Sequence, residues 1–153
     1  RGFYCFEEIW EEEYSNPKTD SDLDEINTFS QSIFLKRIAQ INKSNCITIK
    51  TKKNSIFFDR SIIDVIGYLN AYKKSIPKKW KNIALETKYY KTIFYCPIWE
   101  NIYKTHKGRK ESFAESIMIN KHLILTYKKF NYSINNIPKI DIVNRVDYIL
   151  NRI

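Results

Sequence analysis

The sequence predicts an α+β protein: a single compact domain with about four helices and a small, mainly antiparallel sheet. Some stretches repeat apolar residues at helical spacing, and other short runs are rich in the aromatic and β-branched residues typical of strands. The chain has 153 residues, of which 43% are hydrophobic and 15% aromatic. A chain of that length and composition can bury one substantial core, which a disordered protein cannot do.

The N-terminal third predicts one long helix and a hairpin. Residues 3–14 are compatible with a short acidic helix that buries its aromatic side chains. A helix is predicted over residues 21–41, where Ser21 and Asp24 resemble a capping box. Its apolar stripe is Leu23, Ile26, Ile33, Phe34, Ile38 and Ile41. Residues 46–58 alternate apolar and polar side chains around a basic turn, which indicates a hairpin.

The middle of the chain predicts a helix, a turn and a strand. Ser61 followed by Asp64 begins a helix over residues 61–74, which Pro77 prevents from continuing. Residues 77–81 are expected to form a basic turn that carries one aromatic ring. Residues 89–96 favour a strand, and Pro97 both ends it and opens a short helix that stops near residue 108.

The last third predicts a strand and a terminal helix. Residues 123–127 favour a strand, with a helix over residues 113–124 as the alternative. Apolar residues from Ile142 to Ile153 recur every three or four positions, and Asp141 stands near the start of this stripe. We therefore expect a helix at the C-terminal end.

The charge divides the chain into two parts. Residues 1–30 contain nine acidic and two basic residues, a net charge of −7, and residues 31–153 contain 24 basic and 8 acidic residues, a net charge of +16. We interpret residues 1–30 as an acidic N-terminal segment packed on or extending from the domain, and residues 31–153 as a basic α+β domain. The acidic segment could be a solvated helix face, a clamp on the basic part, or a contact with a basic neighbour.

Several classes of function lack their sequence signature. The glycine patterns of dinucleotide-binding folds, P-loops and KH-type RNA-binding domains are absent, and we expect no cofactor. Cys5, Cys46 and Cys96 are odd in number and form no C-x-x-C pair, so we expect free thiols in the core rather than disulfides or zinc ligands.

A catalytic site is not predicted either. Two histidines are too few for a histidine-rich metal site, and no metal site is expected. Asp59, Asp64 and Glu86 are the carboxylates weighed for a magnesium-dependent nuclease, but Asp64 already serves as a helix cap. No apolar run approaches the roughly 20 residues that span a bilayer. We expect no membrane span and an intracellular location, in an organelle matrix or the cytoplasm.

Clusters of lysine with aromatic neighbours are the strongest candidates for a binding site. Lysine supplies charge to phosphates and aromatic rings stack on bases. Because 20 lysines accompany only six arginines, backbone contacts are favoured over base reading. The candidate nucleic-acid-binding residues are Lys50, Lys52, Lys53, Lys73, Lys74, Lys78, Lys79, Trp80, Lys81, Lys104, Lys107, Arg109, Lys110, Lys128 and Lys129.

Three hypotheses on function follow. The leading one is a non-catalytic RNA-binding component of a ribonucleoprotein, with an organellar ribosomal protein as one form, because residues 31–153 carry a charge of +16 and their lysines cluster with Tyr and Trp. It implies RNA and neighbouring proteins as partners and leaves the oligomeric state open. The alternative is a protein–protein interaction module without a nucleic-acid role. A small metal-dependent nuclease is the third.

Overall fold

The computed structural model describes residues 2–9, 22–47, 55–104 and 111–153, with only the backbone described for residues 22–26. The chain forms two compact units, Arg1–Val65 and Ile66–Ile153. Each mixes helix and strand, which confirms the predicted mixed class.

Where it is described, the first unit forms one long helix, a pair of short strands and the start of a second helix. Its elements are β1 (Tyr4–Phe6), α1 (Asp22–Asn45), β2 (Ile56–Phe58) and the start of α2 (Ile62–Ala71). Strands β1 and β2 are parallel, with Tyr4 opposite Ile56 and Phe6 opposite Phe58. The rings of Phe6 and Phe58 stack with their centroids 4.9 Å apart. The buried apolar side chains are Phe6, Ile33, Phe34, Ile62, Ile63 and Val65.

The described residues of the second unit form the rest of α2, three further α-helices and a second strand pair. Its elements are α3 (Lys78–Glu86), β3 (Thr92–Tyr95), a 3-10 helix (Glu100–Ile102), α4 (Phe113–Lys129), β4 (Ser133–Asn136) and α5 (Ile142–Leu150). Strands β3 and β4 are also parallel, with Thr92 opposite Ser133. The buried apolar side chains are Ile66, Leu69, Ala71, Ala84, Ile119, Tyr127 and Ile137.

The helices predicted from apolar spacing are confirmed. Helix α1 lies where residues 21–41 predicted one, and it buries Ile33 and Phe34. Helix α2 lies within residues 61–74, and α5 begins after its N-cap Asp141. The predicted contacts of Ser21 and Asp24 lie outside the described side chains.

Two predictions are wrong in the regions of α4 and α3. Residues 123–127 are helical, so the strand is wrong and the alternative helix is the better prediction. Its capping box, Ser112 with Glu115, begins α4 well before the apolar residues taken for a strand. Residues 78–81 are the first turn of α3 rather than part of a basic turn, and Pro77 is the N-cap, where the missing N–H of proline breaks no intrahelical hydrogen bond.

The sheet was predicted with the wrong pairing. Both described strand pairs are parallel, whereas a mainly antiparallel sheet was expected. Residues 4–6 form a strand, so the predicted helix over residues 3–14 is wrong there, and residues 10–14 lie outside the description. Strand β2 occupies the second arm of the predicted hairpin, but it pairs with β1. Residues 48–54, which include the rest of the first arm, lie outside the described residues.

The cysteines are free, as predicted, but they are not in the core. Cys5, Cys46 and Cys96 are all exposed. Cys46 follows the end of α1, and Cys96 follows β3, so both stand where an element has ended and the chain turns to the surface. In the described parts of the chain, no helix combines the length and apolar character needed to cross a membrane.

Candidate functional site

The carboxyl ends of β1 and β2 bring charged residues to one edge of the first unit. Glu7 and Glu8 directly follow β1, and Asp59 and Arg60 directly follow β2. Parallel strands end at the same edge, and in open parallel sheets ligands bind outside the carboxyl ends of the strands. We name this group of Glu7, Glu8, Asp59 and Arg60 the acidic edge.

Backbone contacts hold the chain where it leaves β2. The amide of Asp59 donates to the carbonyl of Phe6 over 2.8 Å, which extends the strand pairing by one bond. Nη1 of Arg37, a buried residue of α1, donates to the carbonyls of Asp59 at 2.8 Å and Arg60 at 3.0 Å. Arg60 has a φ of 69°, a conformation uncommon for residues other than glycine. The turn after β2 is therefore defined by specific contacts from α1.

The side chains of the acidic edge have distinct surroundings. The guanidinium of Arg60 forms an ion pair with Glu8. The amide side chain of Gln40, from α1, donates to the carbonyl of Glu7 over 3.1 Å. Asp59 and Glu7 are exposed. The edge thus presents two solvent-accessible carboxylates beside a paired arginine.

Asp64 caps α2, as the sequence predicted. Its carboxylate accepts from the amide of Ser61 at 2.7 Å and from the Ser61 hydroxyl at 3.1 Å. The Ser61 hydroxyl accepts in turn from the amide of Ile63 at 3.0 Å. These bonds satisfy free amides at the helix start. Of the three carboxylates weighed for metal chemistry, Asp64 is therefore structural, and Asp59 lies at the acidic edge.

In the described portion of the chain, no group of three or more His, Cys, Asp or Glu side chains is placed so that it could hold a metal ion. Glu86 is exposed at the last position of α3. The sequence reasoning missed Glu7 and Glu8 as members of a site, because it treated them only as part of an acidic run. The signal that could have found the edge is an apolar strand, Ile56–Phe58, followed at once by Asp59.

In the second unit, the predicted lysines gather partly at one end of a helix pair. Gly67 of α2 lies against Leu123 of α4, and Nδ2 of Asn70 donates to Oγ1 of Thr126 over 3.0 Å. From the first contact to the second, the position moves three residues towards the C-terminus in α2 and three in α4. The two helices therefore run parallel, and their C-terminal ends lie side by side. Four predicted lysines are at these ends: Lys73, Lys74, Lys128 and Lys129.

Three more predicted lysines follow closely along the chain. Lys78, Lys79 and Lys81 are exposed on the first turn of α3. Four residue steps separate Lys74 from Lys78, a span of at most about 14 Å. We name the seven lysines 73, 74, 78, 79, 81, 128 and 129 the basic end. Trp80, half-buried on the same turn, is less accessible for stacking than predicted.

No contact among the described residues places the other predicted nucleic-acid-binding residues next to the basic end. Lys104 is exposed in the segment after the 3-10 helix. Six others lie outside the described residues: Lys50, Lys52, Lys53, Lys107, Arg109 and Lys110.

Helix ends account for the placement of part of the basic end. The amide of Lys74 donates to the carbonyl of Leu69 at 2.9 Å. The amide of Tyr132 donates to the carbonyl of Tyr127 at 3.1 Å. Lys73 and Asn131 have φ values of 53° and 63°. Both helices therefore end in the same left-handed capping motif. Lysine near a helix C-terminus is favoured by the helix dipole, whereas the three lysines on the first turn of α3 are opposed by it.

A family model described as an AAA domain matches residues 1–145. The chain belongs to this family. The matched part of this AAA domain includes the acidic edge and the basic end, and it leaves only the last eight residues unmatched. No curated protein and no solved structure matches the chain. As an AAA domain the sequence departs from the general nucleotide-binding pattern in one respect, since G-x-x-x-x-G-K-[ST] does not occur in its 153 residues.

Proposed function

We propose that this AAA domain takes part in binding the magnesium complex of a nucleoside triphosphate at the acidic edge. The observation that carries the proposal is the position of Asp59, an exposed carboxylate directly after a strand whose parallel partner ends beside it. In P-loop nucleotide triphosphatases, an aspartate helps hold the Mg²⁺ that neutralises charge on the phosphates. Membership of the AAA family over residues 1–145 supports the same function.

The residues present fit the metal-facing part of such a site. Magnesium prefers oxygen ligands and keeps several waters, so one or two protein carboxylates are enough. Asp59 and Glu7 are the exposed carboxylates of the edge, and we assign Asp59 to Mg²⁺. When bound, Mg²⁺ would neutralise phosphate charge. The residues that would cradle the phosphates through a glycine-rich loop are not part of this sequence, so the proposal concerns the metal side alone.

The test measures binding of a fluorescent ATP analogue to the natural full-length protein, once with Mg²⁺ and once with EDTA. Asp59→Asn is expected to weaken the magnesium-dependent binding about tenfold or more, in the range typical for loss of a group that supports a metal site. Glu86→Gln, which removes an exposed carboxylate at the end of α3, is the matched control and should bind like the parent. Equal binding by Asp59→Asn and the parent, or no binding by the parent, would refute the proposal.

A second candidate function is binding of an RNA backbone by the basic end. It is supported by four lysines at the adjacent ends of α2 and α4, and by three exposed lysines at the start of α3, which follows α2 closely along the chain. Lysine charges that replace condensed counterions make binding strongly dependent on salt. This candidate retains the RNA-binding hypothesis but restricts it to a defined group of residues.

The test is fluorescence anisotropy of a single-stranded RNA at several salt concentrations. Replacing Lys73, Lys74, Lys128 and Lys129 together by glutamine should reduce the slope of log affinity against log salt by about 0.7 for each phosphate that a lysine no longer neutralises. A control with Lys88→Gln and Lys91→Gln, two exposed lysines outside the basic end, should keep the parent slope. Salt-insensitive binding by the parent would reject this function.

A further inference from the structure

The second unit contains an open cleft of about 560 Å³ beside α4. One wall is a face of α4 that includes Phe113, Ile117 and Leu125, and Tyr95 and Ile98 contribute from the end of β3 and the segment after it. This volume is within the range of roughly 300–1,000 Å³ that is typical of small-molecule sites. Neither the acidic edge nor the basic end includes any of these residues.

Helix α4 has two apolar faces, and the cleft uses the one that does not pack on α2. Leu123 and Thr126 face α2. On the other side of the helix, Ile117 and Leu125 are 49% and 52% exposed. Because apolar surface in water is unfavourable, this second face would gain from contact with an apolar ligand.

The polar groups inside the cleft are already engaged with each other. The Tyr95 hydroxyl donates to Oδ1 of Asn120 over 3.2 Å, and Nδ2 of Asn120 donates to the Ser116 carbonyl over 2.8 Å. The Tyr103 ring meets Phe113 edge-on at 5.1 Å between centroids. The Tyr95 and Tyr103 contacts therefore join the end of β3 and the segment after the 3-10 helix to α4 without a ligand, and burial raises the pKa of the Tyr95 hydroxyl above its ordinary value.

Among the residues that the structure describes, the charged groups lining the cleft are two lysines and one glutamate. Lys121 extends from the same face of α4, Lys139 precedes α5, and Glu100 begins the 3-10 helix. All three are exposed. The charged groups therefore carry a net positive charge around an apolar interior, which is complementary to a ligand with an apolar body and a negative head.

We propose that this cleft binds a small anionic amphiphile, a molecule with an apolar body and one carboxylate or phosphate head group. The body would cover Ile117 and Leu125, and the head would lie between Lys121 and Lys139. Few polar groups around a mainly apolar surface are what fix orientation in sites of this kind. The proposal is independent of nucleotide binding at the acidic edge.

The experiment is calorimetric titration of the full chain with dodecanoate, dodecyl phosphate and dodecyltrimethylammonium, each below its micellar concentration. Both anions should bind, and the cation of the same chain length should bind about tenfold more weakly. The two anions distinguish a carboxylate preference from a phosphate preference. Lys121→Gln with Lys139→Gln should weaken anion binding about threefold to tenfold, as expected for two solvent-accessible ion pairs.

Two matched controls separate the cleft from general surface effects. Ile117→Ser should weaken the binding of all three ligands. Leu85→Ser removes an apolar side chain that is 63% exposed on α3 and should leave the binding of all three unchanged. Lys88→Gln removes an exposed lysine of the second unit outside the cleft and should leave binding unchanged. Far-UV circular dichroism confirms that each variant is folded.

Three outcomes would overturn the proposal. The first is equal binding of the cationic and anionic amphiphiles, and the second is equal weakening by the control variants. The third is a dimer in sedimentation equilibrium that Ile117→Ser dissociates while no amphiphile binds, because a second copy of the chain would then cover this face.

Discussion

Arg37 is buried in the first unit, at 3% exposure, although arginine is rarely buried without partners. Its Nη1 atom donates to two backbone carbonyls, those of Asp59 and Arg60. These contacts join α1 to the turn after β2. The turn is the backbone from which the Asp59 carboxylate extends, so Arg37 acts on the proposed magnesium ligand indirectly, as a positioning residue.

Replacing this side chain should destabilise the first unit. Arg37→Met keeps much of the apolar length but leaves two carbonyls without their charged donor, and we expect the free energy of unfolding to fall by about 2–3 kcal/mol. Urea denaturation measures the change. Gln31→Met, at an exposed position of the same helix, is the control and should change stability by less than about 0.5 kcal/mol. A similar loss in both variants would contradict the role of the carbonyl contacts.

Residues differ in how far the sequence reveals their roles. Asp64 could be assigned as a cap because its partner Ser61 is three residues away and the capping box is a local motif. Arg37 could not be singled out, since the carbonyls that it contacts are 22 and 23 positions along the chain. The position of Asp59 was likewise hidden, because it depends on β1 lying beside β2.

At the scale of elements, the close approach of α2 and α4 depends on Gly67. A Cβ atom at this position would lie 2.7 Å from Cδ2 of Leu123 and 3.1 Å from its Cα. The first contact could be relieved by rotation of the leucine side chain, but the second involves the backbone of α4. Glycine therefore allows a helix contact that a larger residue would force apart.

Gly67→Ala should lower the stability of the protein despite the better helix propensity of alanine. The propensity gain is about 1 kcal/mol, whereas overpacking a close contact costs about 1–3 kcal/mol. We expect a net loss of about 1 kcal/mol in the free energy of unfolding by urea denaturation. The double variant with Leu123→Ala removes the contact with Cδ2 but keeps the contact with Cα, so it should restore part of the lost stability and the two changes should be non-additive. Strict additivity would show that the helices do not meet at Gly67.

The start of α4 has a capping box whose acid responds to pH. Backbone and side-chain hydrogen bonds from Ser112 lower the pKa of Glu115 below its ordinary value. The Ser112 amide donates to the carboxylate over 2.7 Å, and its hydroxyl donates over 2.8 Å. The backbone amide of Asn144 lowers the pKa of Asp141 at the start of α5 in the same way.

These lowered values predict how the helix starts respond to acid. The pKa of Glu115 is lower in the folded than in the unfolded state. Its contribution to folding stability is therefore fully present at pH values above its unfolded-state pKa, and it is lost as the pH falls through its folded-state pKa. Ser112→Ala removes the hydroxyl donor but keeps the backbone amide, which is the larger cause, so the pKa of Glu115 should rise only part of the way towards its ordinary value, while that of Asp141 stays low. Carboxyl-detected NMR titration measures both groups. An unchanged Glu115 midpoint in the variant would contradict the capping box.

The elements show which patterns the sequence could and could not reveal. Helices with a long apolar stripe, such as α1 and α5, were predicted because their spacing repeats within each turn. Strand β4 was missed, since Ser133–Asn136 contains one apolar residue and pairs with β3, about 40 positions earlier. The parallel pairing of both sheets was missed for the same reason. Strands of three or four residues carry too little local pattern to indicate their partners.

At the scale of the whole molecule, charge differs between the two compact units. Arg1–Val65 holds nine basic and 11 acidic residues, a net charge of −2, and Ile66–Ile153 holds 17 basic and six acidic residues, a net charge of +11. A net charge far from zero destabilises a compact state by self-repulsion. The second unit should therefore bear most of this cost.

Screening should then stabilise the protein. Raising sodium chloride from about 0.01 M to about 0.15 M shortens the screening length from about 30 Å to about 8 Å. We expect the thermal unfolding midpoint to rise by a few degrees, about 2–4 °C. Lys88→Gln with Lys91→Gln should reduce this dependence on salt, because it lowers the charge of the second unit. A midpoint that falls with salt would mean that attractive pairs outweigh repulsion.

By itself, the sequence determined the mixed fold class, the helices α1, α2 and α5 with the caps of the last two, and the excess of basic residues. Periodicity and capping act over three or four neighbouring residues, so they can be read along the chain. Tertiary structure alone decided that Phe6 pairs with Phe58, that Asp59 lies beside the end of β1, and that Lys73 and Lys128 stand at one end of a helix pair. Such contacts join residues far apart in the chain, and their free energy arises from burial and hydrogen bonds that exist only after folding.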